Sequence, residues 1–320
     1  MRRRIRNRGA EGQVMEAAIQ QRALGLGELV HTPECPPPCK VCASPTRLFD
    51  SVDFNKHCGA PPSMFGDSGI LVQYFRCDRC GLLFTNLIDD WGTAELSEFI
   101  YNADYLKIDP EYLGARAQRT AEHLAPLLAP CRDLRILDYG SGSGAFAQAM
   151  GAYGFKSVES YDPLSSPQQP SGTFDLITCF ESLEHAPQPR DTLAEIVGQL
   201  SRQGIVLIGQ SLQPDDIEEI RGQWWYLAPR NGHVSFFTHD TFLELAGRTC
   251  LKYRGGSGIY VFTRGRLTKA MQRGVGQILR ETAPEDVRRL TQAKRKASAR
   301  GANSQWRQII RWIHRRVTYS

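Results

Sequence analysis

The 320-residue sequence predicts an α/β fold: a Rossmann-like sheet with a shortened middle, a small cysteine-held module before it and a helical tail after it. Three observations carry this reading. Residues 136–147, Ile-Leu-Asp-Tyr-Gly-Ser-Gly-Ser-Gly-Ala-Phe-Ala, set three glycines at alternate positions between an apolar strand and the opening of a helix. Two Cys-x-x-Cys pairs stand ahead of them, separated by 34 residues. Residues 264–320 hold 15 Lys or Arg against 3 Asp or Glu, so the chain ends in a strongly basic segment.

In chain order, residues 1–32 read as a basic extension. Met-Arg-Arg-Arg-Ile-Arg-Asn-Arg has no apolar region behind it, which argues against a secretory signal. Residues 33–90 read as a zinc-ribbon-like module. Cys39-Lys-Val-Cys42 and Cys77-Asp-Arg-Cys80 can each form a knuckle that presents two thiolates to one tetrahedral ion, with Gly81 suited to the second turn. Residues 69–76 and 82–85 read as the strands flanking that knuckle. Cys35 and Cys58 stand unpaired as substitute ligands, and Cys131, Cys179 and Cys250 read as buried small hydrophobes. Residues 91–119 form a linker or lid, in which Tyr101 and Tyr105, four apart, would share a helical face.

Residues 120–263 carry the sheet. A strand turning sharply into a helix needs residues tolerant of positive φ, and a ligand lying on the turn needs bare backbone, hence Gly140, Gly142 and Gly144. The helix start then offers N–H groups to a polar or anionic ligand. Gly140-x-Gly142-x-x-Ala145 also fits a dinucleotide loop. Asp138, at the strand end, is placed to meet the ammonium of a methionine moiety, which favours S-adenosylmethionine over NAD. Asp162 ends a second strand and can bind ribose hydroxyls of either cofactor.

Thr173-Phe-Asp-Leu-Ile-Thr-Cys-Phe-Glu-Ser-Leu-Glu-His-Ala-Pro-Gln-Pro-Arg190 resembles the fourth-strand region of class I S-adenosylmethionine-dependent methyltransferases. A helix over Leu193–Leu200 and a strand over Gly204–Ile208 continue the order, and the resemblance spans about residues 120–263. Within that family the chain is most similar to small-molecule methyltransferases with an amino-terminal zinc-binding cysteine module. The resemblance implies S-adenosylmethionine and structural zinc as cofactors, with Phe180 and Tyr105 as further cofactor contacts. One departure stands out: about a dozen residues separate Asp162 from Phe174, where the full fold has a helix and a third strand.

Methyl transfer to a hydroxyl benefits from a base, most often histidine. His185 is the first candidate, at the carboxyl edge of the sheet beside Glu181 and Glu184; Glu181 is a further catalytic candidate, or alternatively a contact to cofactor or substrate. His233 lies in Gln223-Trp-Trp-Tyr-Leu-Ala-Pro-Arg-Asn-Gly-His-Val-Ser-Phe-Phe-Thr238, which resembles an acceptor-pocket loop; its Pro, Asn and Gly residues make it loop-like and hard to bury. His239 and Asp240 read as the cap of a helix over Thr241–Ala246.

Net charge is +5, but residues 9–263 carry −12 while both ends are basic. An acidic body disfavours nucleic acid in the cleft and points to a small-molecule acceptor, such as a sugar or glycan intermediate. RNA methylation, and a non-catalytic scaffold with a vestigial cofactor fold, are the alternatives. In the tail, Trp306, Ile309, Ile310, Ile313 and Val317 form one apolar stripe among arginines, suited to an anionic membrane surface or a protein partner. No apolar run approaches the ~20 residues of a membrane span, and the cytoplasm is the expected location.

Overall fold

The computed structural model describes residues 25–27, 29, 33–59, 64–166, 168–256 and 258–282. Their contacts divide the chain into two compact units. The first takes the described residues up to Leu113 with Glu184–Thr192 and Gln213–Thr238; the second takes Gly114–Leu183, Leu193–Leu212 and the described residues from His239.

The second unit is built on a six-stranded sheet. Its strands are β4 (Arg135–Tyr139), β5 (Ser157–Tyr161), β6 (Phe174–Phe180), β7 (Leu200–Gly209), β9 (Lys252–Arg254) and β10 (Ile259–Thr263), in the order β5-β4-β6-β7-β10-β9. β4 runs parallel to β5 and β6, and β6 to β7, whereas β10 is antiparallel to both β7 and β9. Ile136, Leu137, Leu176, Ile177, Val206 and Leu207 are all fully buried. Neighbouring strand residues point to opposite faces, so this continuous apolar run marks a sheet covered on both sides. Among the described residues between Asp162 and Phe174 there is no helix or strand, and β5 is the edge. This is the Rossmann-like fold with the shortened middle that the sequence predicts.

The helices are α1 (Ala115–Leu127), α2 (Ala145–Ala152), α3 (Pro189–Gly198), α4 (His239–Arg248) and α5 (Lys269–Glu281). α3 begins four residues before the expected Leu193, with Pro189 in the first turn, where its missing N–H costs nothing. α4 starts at His239, so His239 and Asp240 occupy its first turn instead of capping a helix from Thr241; Asp240 there complements the helix dipole. Cys250 is exposed, with φ +56 just past α4, and is not the buried hydrophobe expected; Cys131 and Cys179 are buried. α5 is capped by Thr268, whose hydroxyl accepts from Met271 N–H, and sends Met271, Val275 and Ile278 into the core beside Leu128 and Cys131. The fold therefore runs on past residue 263. The apolar stripe at 306–317 and residues 1–24 lie outside the described residues.

The first unit holds an antiparallel sheet of β1 (Thr46–Asp53), β2 (Leu71–Cys77), β3 (Leu83–Phe84) and β8 (Ser235–Phe236), in that order. Phe49, Tyr74, Leu83, Trp224, Tyr226, Val234 and Phe236 form its core. Tyr101 and Tyr105 do not share one helix, since a helical turn over Leu96–Ile100 ends before a separate one over Tyr105–Ile108; their rings still meet at 5.1 Å. The segment 223–238, expected to resist burial, is buried from Tyr226 to Phe237, while Trp225 is 58% exposed. Its backbone is satisfied inside the protein. Lys56 Nζ donates to the Trp224 carbonyl at 2.6 Å and to that of Leu227, and Arg230 N–H donates to Lys56 O at 3.1 Å. Among the described residues no helix is long and apolar enough to cross a membrane.

Candidate functional site

The loop after β4 is held from within its own unit. Gly140, Gly142 and Gly144 have φ of +72°, +51° and +74°, a region that favours glycine. Gly140 and Ser141 N–H both donate to the Tyr161 carbonyl, at 2.8 and 3.1 Å. Asp162 follows β5, and its two carboxylate oxygens accept Gly142 N–H and Leu164 N–H, each at 2.9 Å. Asp162 thus fixes the loop, and each oxygen keeps acceptor capacity for a further donor such as a ribose hydroxyl. A Cβ added at Gly142 would meet nothing within 4 Å, so the loop's outer side is open for a ligand. A ribose-bearing cofactor fits these groups.

Asp138 lies deeper. It is 4% exposed and accepts the Thr178 hydroxyl at 2.8 Å. Burial pushes its carboxyl up to about 7, the Thr178 bond works against that, and the Asp162 charge adds to it. Glu181 sits at φ +46 just past β6, with its N–H on the Gly209 carbonyl at 2.7 Å. Phe180 packs edge-on against Phe146 at 5.4 Å, over Gly209, where a Cβ would fall 2.5 Å from its ring.

Within the first unit, polar groups of Glu184, His185 and His233 gather within 4.8 Å of one another. Glu184 is fully buried, and its Oε1 accepts the Tyr226 hydroxyl at 2.6 Å. The same oxygen is 4.0 Å from His185 Nε2. His185 Nδ1 lies 3.1 Å from the Gly232 carbonyl, and His233 Nδ1 lies 2.8 Å from the Tyr226 carbonyl. A carbonyl can only accept, so these contacts place the proton of each neutral ring on Nδ1 and leave Nε2 as its basic nitrogen. The two rings pack edge to face at 4.9 Å. The sequence brings His185 and His233 forward as separate candidates; the structure joins them. Tyr105 is buried among Tyr101 and Tyr112, at 5.1 and 4.9 Å, and the Tyr101 hydroxyl is 3.4 Å from His185 Nδ1.

These loop and cluster residues, apart from Tyr101 and Tyr105, all fall in one stretch of sequence. Residues 111–252 match the family model described as a methyltransferase domain. No curated protein matches the chain. Several solved methyltransferase structures do, at low identity. An O-methyltransferase family protein from Burkholderia thailandensis gives a TM-score of 0.41 at 12% identity, over 55% of this chain and 63% of its own, less than two thirds of its length. Magnesium protoporphyrin IX methyltransferase from Synechocystis gives 0.34 at 13%, over 46% and 83%. An amino pentose methyltransferase from Micromonospora echinaspora gives 0.31 at 14%, over 48% and 92%.

The cysteine pairs precede the methyltransferase-domain match. Cys39 Sγ lies 3.6 Å from Cys80 Sγ, and Cys42 Sγ lies 3.5 Å from Cys77 Sγ; all four thiols are buried and within 4.8 Å of one another. A tetrahedral ion with ~2.3 Å bonds to sulfur needs edges of roughly 3.8 Å, so the set could hold one. The hydrogen bond from Cys80 pulls the Cys39 thiol down to about 5, while the thiol of Cys80 is driven up by the same bond and that of Cys77 by burial. Gly81, at φ +73, lies where a Cβ would fall 2.9 Å from Thr238, and Ala43 takes φ +60 in the first knuckle. Cys35 is exposed, and Cys58 lies 3.7 Å from His233 Nδ1 instead.

Sequence reasoning missed Thr178 and Tyr226. Thr178 is found only through the register that sets it opposite Asp138, and Tyr226 only through a contact 42 residues along the chain.

Proposed function

We propose that this chain transfers a methyl group from S-adenosylmethionine to a small-molecule acceptor, a sugar or glycan intermediate. The loop carries the reading: three left-handed glycines, one open to a ligand and locked by Asp162, within the methyltransferase-domain match. Asp162 and the Gly140–Gly144 backbone hold the ribose side, and Asp138 attracts the methionine ammonium. Phe180 and Tyr105 are proposed as flanking contacts, and Glu181 as a catalytic-site residue that contacts cofactor or acceptor. When bound, the cofactor supplies an electrophilic methyl on a sulfonium.

His185 Nε2 takes the proton of the acceptor hydroxyl as it becomes a nucleophile. The Gly232 carbonyl holds Nδ1–H, and Glu184 offsets the positive charge the imidazole gains. His233 orients the acceptor, and Trp225 offers an exposed face on which a sugar ring can stack. Cys39, Cys42, Cys77 and Cys80 hold one structural zinc, and the location is the cytoplasm.

The test is calorimetric titration with S-adenosylmethionine, with NAD as control. Asp162→Asn is the informative variant, because its carbonyl oxygen can still accept one of the two loop N–H groups whereas alanine releases both. Micromolar binding of S-adenosylmethionine alone, weakened at least tenfold in Asp162→Asn, is the expected result. Zinc-loaded, folded protein that binds NAD or neither cofactor refutes the proposal.

A further inference from the structure

Tyr226 touches every member of the acid–base cluster or a residue that holds one. Its hydroxyl donates to Glu184 Oε1 at 2.6 Å, its carbonyl takes His233 Nδ1–H at 2.8 Å, and its ring lies 4.4 Å from that of His233. A carboxylate removed from water is costly unless donors replace the solvent, and a short bond to an anion is among the stronger ones. The tyrosine is itself immobilised. It is 2% exposed, and its ring packs against Trp224 at 5.6 Å and Phe236 at 5.9 Å. The backbone behind the cluster is equally fixed: Val234 N–H donates to Glu184 O at 2.9 Å, Ser235 Oγ to Ala186 O at 3.0 Å, and Tyr74 Oη to His233 O at 3.0 Å.

We propose that Tyr226 is the positioning residue of this cluster: its phenol holds the Glu184 carboxylate against His185 Nε2, and its carbonyl sets the tautomer of His233. This rests on the reading of His185 as the base. Tyr226 touches no reacting atom and acts through Glu184, which stabilises the protonated imidazole of His185. Among the described residues, further titratable groups facing the cluster include the Tyr101 hydroxyl, 3.4 Å from His185 Nδ1, and the Cys58 thiol, 3.7 Å from His233 Nδ1.

The experiment is a pH titration of the full-length, zinc-loaded chain with isotope-labelled histidine, followed by NMR. His185→Gln and His233→Gln assign the two rings. Tyr226→Phe keeps the ring and the carbonyl and removes only the phenol donor. The His185 midpoint is expected to fall by about one pH unit, a tenfold change in proton affinity, while that of His233 moves by less than half as much. Glu184→Gln is the second variant, usable if Tyr226→Phe does not fold. It should lower the His185 midpoint in the same direction, and adding Tyr226→Phe to it should produce no further shift. A His185 midpoint unmoved in either variant overturns the proposal, as does an equal fall for both histidines. The readout needs no turnover, so a failure of methyl transfer would be seen separately: the expected shifts in the variants beside a wild-type protein that methylates nothing refute the function and leave the role of Tyr226 standing.

Discussion

Gly140→Ala and Gly142→Ala both place a side chain at positive φ, but the structure gives them different surroundings. The left-handed conformation costs an alanine roughly 1–2 kcal/mol at either position. At Gly140 the new Cβ would also lie 2.2 Å from Ser182 Oγ and 2.6 Å from Ser182 Cβ, far inside the roughly 3.5 Å at which such atoms rest. Overpacking of that kind adds about 1–3 kcal/mol, so Gly140→Ala should cost about 2–5 kcal/mol in all. At Gly142 there is no neighbour within 4 Å, and only the conformational part applies. Urea unfolding of the zinc-loaded chain, with circular dichroism as the probe, measures both. A Ser182→Gly background isolates the clash: it should recover most of the extra cost at Gly140 and none at Gly142. Calorimetry should show the reverse ranking for ligands, Gly142→Ala remaining folded yet losing cofactor affinity because its methyl fills the open side of the loop. Equal costs at the two glycines, or no relief from Ser182→Gly, would refute the reasoning.

Other expectations concern metal, pH and acceptor. Wild-type protein should carry one zinc ion per chain by elemental analysis and give the visible absorption of tetrahedral thiolate cobalt after exchange; Cys80→Ser should lose both, and a wild-type metal content near zero defeats the assignment. Asp138 titrates at about 7 in the folded chain against 3.8 for an ordinary aspartate, because it is buried. The folded state therefore holds the extra proton between those values, and this group's contribution to stability declines as pH rises through that window, by on the order of 4 kcal/mol in all. Asp138→Asn should remove that slope from the difference between paired unfolding curves; parallel curves from pH 4 to 7 would argue against it. Trp225→Ala, at a 58% exposed position, should leave the melting temperature within a degree or two. It should raise the acceptor KM about fivefold, as expected for about 1 kcal/mol of lost stacking; an unchanged KM for every accepted substrate would count against the stacking role.

What could be read from the sequence was local. A strand, three glycines and a helix lie within a dozen residues, and the cysteine pairs announce themselves by spacing, so loop and knuckles are legible without a fold. The acid–base cluster is different in kind. Glu181 and Glu184 are indistinguishable on paper; a left-handed residue at 181 and a tyrosine 42 residues beyond Glu184 make one of them the partner of His185. The segment 223–238 reads as hard to bury because its proline, asparagine and glycine carry no sign of the lysine that takes up its carbonyls. Lys56 stands 168 residues before Trp224, and no periodicity carries that information. The basic charge of residues 264–320 masks α5, whose Met271, Val275 and Ile278 recur at helical spacing.

The first unit is assembled from three stretches of chain, and this orders events during synthesis. Cys39 and Cys80 are 41 residues apart, so the knuckles can meet soon after they leave the ribosome. Lys56 and Trp224 are 168 apart, and closing that larger loop costs about 1.2 kcal/mol more in chain entropy, besides waiting for the residues to exist. Until Ser235 and Phe236 arrive, β3 presents an uncovered edge. Between the synthesis of Cys80 and that of Ser235 the nascent chain thus carries its cysteine pairs beside an uncovered strand, and Glu184 and His185 emerge well before His233 and the tyrosine that complete their setting. A fragment ending before residue 238 would therefore retain the cysteine ligands while lacking a finished sheet.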